Sequence, residues 1–204
     1  MTIITIVQLL FFDDPFLPTD TTGVTYIRWG KPTCPQTPGT EMLYAGRAGG
    51  TFYNIRGGGA EILCLPETPE YLSGTSRIGT TLGGIPRMFG TEYEFFGSSP
   101  LANLANHNVP CASCYVPTRG TVNMIPAKIN CPTGWTREYY GYLTTEHEGH
   151  YRSSYNCVDI NSENMGSTGN ENGAVIYYVA STCHGFDCPP YENDRALSCV
   201  VCTK

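Results

Sequence analysis

Ten cysteines occur in this chain of 204 residues, and their spacing repeats. A Cys-x-x-Cys motif at residues 111–114 recurs at residues 199–202, close to the end of the chain. Each copy closes a half that opens with a Cys-Pro pair, at Cys34 in the first half and at Cys131 in the second. Repeated cysteines, prolines and glycines in one order predict an internal duplication.

The duplication divides the chain into two predicted units, at residues 23–117 and 118–204. Matching positions outside the motifs are Gly39 with Gly134, Tyr44 with Tyr139, Gly46 with Gly141, and Cys64 with Cys157. Residues 1–22 precede the units as an apolar segment (1–12) and a Pro- and Asp-containing linker. The apolar segment lacks the basic start and the cleavage site of a signal peptide, and it is too short to span a bilayer. It is therefore either a strand or the remnant of a signal.

The composition indicates an all-β, loop-rich extracellular protein. Charged residues make up only 15% of the chain, whereas it contains 23 Gly, 15 Pro and 14 Tyr. Gly and Pro favour turns, and Tyr favours the pleated surface of a sheet. The net charge is −6 and the Lys and Arg residues are scattered, which argues against nucleic acid and anionic membranes as partners.

The cysteines have three possible roles: disulfides, metal ligands or redox groups. Zinc sites usually combine two close ligand pairs, but the two CxxC motifs are far apart in the chain. A redox CxxC requires a strand–helix setting, and no helical pattern follows either motif. Disulfides, and therefore an oxidising extracellular compartment, are the favoured interpretation.

The segment His147-Glu148-Gly149-His150 is the most chemically suggestive part of the chain. It is one residue shorter than the HExxH motif of zinc proteases, and the helix that such a motif needs is not predicted. It falls between two strands, at the tip of a hairpin, where a solvated polar turn is the default. The alternative is a weak divalent-cation site with His147 and His150 as ligands; no other cofactor is indicated.

Other candidate sites have simpler explanations. The polar segment 161–173 has side chains that bind sugar or calcium, but its composition is that of a solubilising loop. The glycines at 57–59 resemble a phosphate-binding loop, but no strand-to-helix pattern surrounds them, which favours a plain loop. Cys183 stands beside His184, but a bridge to Cys188 with Gly in the turn is sterically comfortable. No catalytic triad, metal cluster or cofactor loop is found, so the chain is not expected to be an enzyme.

Several segments resemble the non-collagenous domain of the spongin-type short-chain collagens of invertebrates. They are YIRWG (26–30), ILCLP (62–66), NVPC (108–111), NMIPAK (123–128), CPTGWTREYYGYL (131–143), and the C-terminal part from CPPY (188–191) to the last CxxC. The duplicated layout is also similar to the C-terminal non-collagenous domain of type IV collagen, which has two tandem β-rich subunits. The chain contains no Gly-x-y run, so it cannot itself form a collagen triple helix.

The resemblance implies a disulfide pairing in which the Cys-Pro cysteine joins the last cysteine of CxxC. On this chain the pairs are Cys34–Cys114, Cys64–Cys111, Cys131–Cys202 and Cys157–Cys199, with Cys183–Cys188 as the local bridge. It also implies two tandem, homologous, disulfide-stapled β-rich subdomains with long loops.

The expected function is that of a secreted structural or assembly module of the extracellular matrix. It would act by self-association, as a trimer or hexamer, or by contacts with other matrix proteins. The alternative is a secreted lectin or divalent-cation-binding protein that uses the turn at residues 147–150 or the loop at 161–173.

Overall fold

β-Strands separated by long loops make up nearly all the regular structure in a computed structural model, which describes residues 23–73, 84–97, 99–166 and 170–204. The strands of the first half are β1 (Val24–Trp29), β2 (Glu41–Gly50), β3 (Leu63–Pro66), β4 (Phe89–Tyr93) and β5 (Pro110–Val116). Those of the second half are β6 (Val122–Pro126), β7 (Thr136–Thr145), β8 (Asn156–Asp159), β9 (Ala174–Tyr178) and β10 (Ser198–Thr203). One 3-10 turn (Ala102–Leu104) precedes β5. The all-β prediction is confirmed; the segment and linker predicted at residues 1–22 lie outside the described residues.

The five strands of each half pair in the same order. In the first half β1 pairs with β5, β5 with β2, and β2 with both β3 and β4. In the second half β6 pairs with β10, β10 with β7, and β7 with both β8 and β9. The register agrees as well, since Trp29 lies opposite Cys111 and Pro126 lies opposite Cys199. The cysteine alignment of the two halves is therefore also an alignment of their strands.

The two halves join in one mixed sheet of ten strands. β1 runs parallel to β8, and β4 runs parallel to β9. Both clusters of buried side chains draw on both halves: one contains Trp29 and Val158, the other Tyr26 and Tyr139. The division into tandem units at 23–117 and 118–204 stays a prediction, and its boundary falls in the connection between β5 and β6.

Five disulfide bonds cross-link the chain. They are Cys34–Cys114, Cys64–Cys111, Cys131–Cys202, Cys157–Cys199 and Cys183–Cys188. The predicted disulfide bonding is confirmed, and the pairs coincide with those that the resemblance implies. In each half, the two cysteines of the CxxC motif lie on one central strand, β5 or β10, and no cysteine is free.

Two matching glycines let neighbouring strands approach closely. A Cβ atom on Gly46 would overlap the carbonyl oxygen of Leu65, and a Cβ atom on Gly141 would overlap that of Val158. Leu65 and Val158 are themselves counterparts in the alignment by Cys64 and Cys157. The glycine match is therefore a packing requirement of the β2–β3 and β7–β8 pairs.

Five aromatic side chains among the described residues are buried in the core: Tyr26, Trp29, Tyr93, Phe95 and Tyr139. Phe95 is fully buried and stacks on Tyr178 at 4.1 Å between ring centroids. The aromatic residues within 93–96 favour a strand there, but β4 ends at Tyr93. Beyond it Glu94 continues the ladder, through its N–H to the carbonyl of Ile176 at 2.9 Å.

Candidate functional site

The edge of β1 forms the junction between the two halves. Trp29 lies opposite Val158 in the parallel pair of β1 and β8. The hydroxyl of Tyr139 donates a hydrogen bond to the carbonyl of Ile27 at 2.9 Å. It also lies 3.0 Å from the carbonyl of Cys157 on β8. One phenol from the second half thus bridges both strands of the junction, and the burial of this phenol raises its pKa.

Two ion pairs flank this junction. Arg28 on β1 contacts Asp159 at the end of β8 at 2.7 Å, and the Asp159 side chain is only 2% exposed. Lys31 lies 3.2 Å from Glu163, which is a looser and more exposed contact. The buried pair orients the two strands, whereas the outer pair adds charge complementarity at the rim.

Glu138 on β7 is the centre of a buried polar network that also spans the halves. Its carboxylate accepts hydrogen bonds from Tyr26 at 2.8 Å and from Thr203 at 2.6 Å, and it forms an ion pair with Arg119. Burial, and then the hydrogen bond to Glu138, raises the pKa of the Tyr26 phenol. The Glu138 side chain is fully buried, so these partners replace the water contacts that the carboxylate loses on folding.

The strands that correspond to β1 and β8 have no such junction. The counterpart of β1 is β6, which pairs only with β10 among the described strands. The counterpart of β8 is β3, which pairs only with β2. Leu63 and Leu65 on β3 are large apolar side chains with 45% and 37% of their surface exposed. The described structure therefore has two open sheet edges, one in each half.

The histidines predicted as metal ligands lie together in a turn between β7 and β8. The ring centroids of His147 and His150 are 5.0 Å apart. His150 is paired with Glu146 through Nδ1 at 2.8 Å, and Nδ1 of His147 accepts the N–H of Gly149 at 3.0 Å. Both Nδ1 atoms thus have partners within the turn.

No group of three or more His, Cys, Asp or Glu side chains in the described part of the chain is arranged to hold a metal ion. In the predicted polar loop 161–173, the described part is tied to β4. The carboxylate of Glu92 accepts the N–H groups of Glu171 and Asn172, at 3.1 and 3.2 Å. Glu92 therefore positions this loop, and a cation site with His147 and His150 stays a prediction.

A cavity of about 480 Å³ lies between a loop of the first half and the hairpin of the second. Its walls come from residues 50–62 and 146–153, and these walls are joined by a hydrogen bond from Ser154 N–H to the carbonyl of Ala60 at 2.8 Å. Phe52, Tyr53, Arg56 and Arg152 are among the lining side chains. The predicted plain loop at Gly57–Gly59 is part of the wall. Sequence patterns did not indicate this cavity, because its walls are far apart in the chain.

Glu94 is a buried acid that the sequence did not single out. Only 4% of the surface of Glu94 is exposed, and its Oε1 has no hydrogen-bond partner within the described residues. Burial raises the pKa of the Glu94 carboxyl, and the negative charges of Glu92 and Glu146 raise it further. This carboxyl therefore favours its protonated form more than an exposed glutamate does.

Comparison with known proteins leaves this architecture without a match. No family model matches the chain, and no solved structure matches it. Within the described residues, no helix is long and apolar enough to cross a membrane. The likeness to collagen non-collagenous domains therefore stays an expectation from the sequence segments that carry it.

Proposed function

We propose that this protein is a secreted structural and assembly module of the extracellular matrix that binds further copies of itself. The observation that carries the proposal is the pair of open edges at β3 and β6. Their counterparts, β8 and β1, join to each other within the chain. A junction of the same kind would place β6 of one copy beside β3 of the next.

The rim charges support this junction. Alignment by Cys34 and Cys131 matches Lys31 with Lys128, and alignment by Cys64 and Cys157 matches Glu163 with Glu70. The pair Lys31–Glu163 within the chain thus has the counterpart Lys128–Glu70 between copies. Opposite charges at a rim steer association and fix the register.

The centre of the junction also has a counterpart. Tyr44 matches Tyr139, and its hydroxyl already lies 3.0 Å from the carbonyl of Cys64, just as that of Tyr139 contacts Cys157. The second acceptor of Tyr139 is the carbonyl of Ile27, and its counterpart is the carbonyl of Met124 on β6. In the proposed assembly, Met124 of one copy supplies this acceptor to Tyr44 of the next.

The new junction would be more apolar than the internal one. The counterpart of the ion pair between Arg28 and Asp159 is Ile125 with Pro66. The counterpart of Trp29 with Val158 is Pro126 with Leu65. Apolar side chains at an open sheet edge favour pairing with another chain.

This contact is heterologous, because β6 and β3 are different surfaces. Heterologous contacts build a closed ring when the rotations between successive copies add up to a full turn. A trimer or a hexamer is the expected assembly.

Two edge variants test the head-to-tail contact. Leu65→Glu places a charge on β3 and leaves β6 intact, whereas Ile125→Glu does the reverse. Each variant alone is expected to be monomeric in light scattering, because an unpaired charge would be buried in the junction. An equimolar mixture is expected to form a dimer, since one intact β6 can meet one intact β3. A Phe96→Glu control, at a site with 59% exposure outside both edges, should assemble like the unmodified chain.

Oligomers that persist in both edge variants would refute the assembly proposal. Variants that remain monomeric when mixed would refute the head-to-tail arrangement. Circular dichroism and unfolding of each variant establish that the chain itself stays folded.

The five disulfides indicate an oxidising compartment, and secretion into a matrix is the setting that we propose for them. We propose no catalytic activity.

The alternative function is that of a secreted lectin or divalent-cation-binding protein. One observation favours it, the cavity between the 50–62 loop and the 146–153 hairpin. A cavity of this size suits a small polar ligand such as a sugar.

A further inference from the structure

Two arginines without carboxylate partners line the same cavity. Arg56 extends from the loop of the first half, and Arg152 from the hairpin of the second. Neither forms an ion pair within the described residues. Four other described arginines each have a carboxylate partner: Arg28 with Asp159, Arg47 with Glu67, Arg119 with Glu138, and Arg195 with Glu192.

The position of these two guanidinium groups is notable in an acidic protein. The net charge of the chain is −6, whereas these two side chains place positive charge without a carboxylate partner in one cavity. Arg56 is held by a hydrogen bond from its Nε to the hydroxyl of Tyr151 at 3.0 Å, and its terminal nitrogens have no ion-pair partner among the described residues. A guanidinium group binds carboxylate and sulfate groups in a bidentate manner.

The remaining walls suit a saccharide. Phe52 packs on Tyr53 and on Phe89 with centroid distances of 4.7 and 5.2 Å, which gives an aromatic surface beside the arginines. Aromatic rings offer apolar faces to the C–H face of a sugar ring. Positions that a Cβ would occupy on Gly57 and Gly59 have no neighbour within 4 Å, so the backbone of this wall is open to a ligand.

One carboxylate also lines the cavity. Glu146 is paired with His150 at 2.8 Å, which occupies part of its hydrogen-bonding capacity. The cavity thus contains two guanidinium groups without carboxylate partners and one engaged carboxylate, together with hydroxyl groups from Tyr151 and Ser153. This set favours a ligand that carries both an anionic group and hydroxyl groups.

We infer that this cavity binds an acidic saccharide, with Arg56 and Arg152 holding its carboxylate or sulfate and Phe52 and Tyr53 contacting its sugar ring. The inference names the ligand and the site of the alternative function, and it does not depend on self-association. Carboxylate and sulfate share the recognition chemistry, so the experiment must separate them.

Isothermal titration calorimetry of the full chain tests the inference with three tetrasaccharide probes. They are a heparin-type probe with sulfates, a hyaluronan-type probe with carboxylates only, and an uncharged maltose-type probe. Saturable binding is expected for at least one acidic probe, and the response of the other acidic probe tells whether sulfate or carboxylate is preferred. Arg56→Gln and Arg152→Gln should each weaken that binding by about tenfold or more, the loss typical of one hydrogen bond to a charged group. Arg195→Gln, an exposed arginine outside the cavity, is the matched control and should bind like the unmodified chain.

Absence of binding to both acidic probes would overturn the inference. Equal losses in Arg195→Gln and in the cavity variants would also overturn it, because they would indicate non-specific attraction. The same titration with the Leu65→Glu variant separates the two proposals: binding should persist there whatever the state of assembly. Unfolding temperatures of all variants show whether a loss of binding comes from a loss of fold.

Discussion

The phenol of Tyr26 donates a hydrogen bond of 2.8 Å to the carboxylate of Glu138, across a sequence separation of 112 residues. This contact links β1 of the first half to β7 of the second. The same carboxylate is held by Arg119 and Thr203. One buried acid therefore fastens the two halves of the sheet to each other and to the connection between them.

Removal of this acid should strongly destabilise the protein. Glu138→Ala leaves the Arg119 charge without its partner, and breaking a buried ion pair from one side costs about 3–5 kcal/mol. Tyr26→Phe removes only one hydrogen bond and should cost about 1 kcal/mol. Glu192→Ala removes the exposed pair with Arg195 and should change the free energy of unfolding by no more than about 0.5 kcal/mol. Guanidinium unfolding monitored by circular dichroism measures all three, and similar values for Glu138→Ala and Glu192→Ala would contradict this account.

The five disulfides should differ in their effects on stability. Cys34–Cys114 links positions 80 residues apart, whereas Cys183–Cys188 links positions 5 apart. On the chain-entropy estimate, the double alanine variant of the first should lose about 4–5 kcal/mol and that of the second about 2 kcal/mol. Thermal unfolding under non-reducing conditions compares the two variants. Equal losses would mean that loop length does not govern their contribution.

Gly141 should not tolerate a side chain. Gly141→Ala would drive a methyl group into the carbonyl of Val158, and overpacking of this kind costs about 1–3 kcal/mol. Gly59→Ala is the matched control, since the position of its Cβ has no neighbour within 4 Å. Denaturant midpoints of the two variants measure the difference. A neutral Gly141→Ala would show that β7 and β8 do not approach as closely as described.

Glu94 should make stability fall as the pH rises. Burial, followed by the charges of Glu92 and Glu146, raises its pKa above the ordinary value of 4.5 in the folded state. The folded chain therefore binds this proton more tightly than the unfolded chain, and stability is lost as the pH rises from about 4.5 through the raised pKa. Glu94→Gln keeps the size of the side chain without the charge, so it should flatten this part of the pH profile and be more stable at neutral pH. Urea unfolding of both proteins between pH 4 and pH 8 checks this, and identical pH profiles would contradict it.

Composition and the cysteine motifs were enough to predict the fold class and the disulfide bonding. The Gly, Pro and Tyr content predicted an all-β chain, and the Cys-Pro and CxxC repeats predicted a duplicated, disulfide-bonded one. The pairing of particular cysteines needed the resemblance, because spacing alone permits many connectivities.

Contacts between distant segments could not be predicted from the sequence. The parallel pairs of β1 with β8 and of β4 with β9 depend on how the halves dock, which leaves no periodic signal. Trp135 is only half-buried whereas Tyr139 is buried, and the local sequence does not distinguish the two positions. Arg56 and Arg152 share a cavity only after folding, and their residue type alone indicates nothing about it.

The solution mass of the intact, non-reduced chain is the most direct test of head-to-tail assembly. Light scattering after size-exclusion chromatography, across a micromolar dilution series, compares this mass with that of a single chain of 22.3 kDa. Head-to-tail pairing of β6 with β3 predicts a defined oligomer, at three or six times the mass of one chain. A monomer at every concentration would contradict it, because both sheet edges would then remain open in solution.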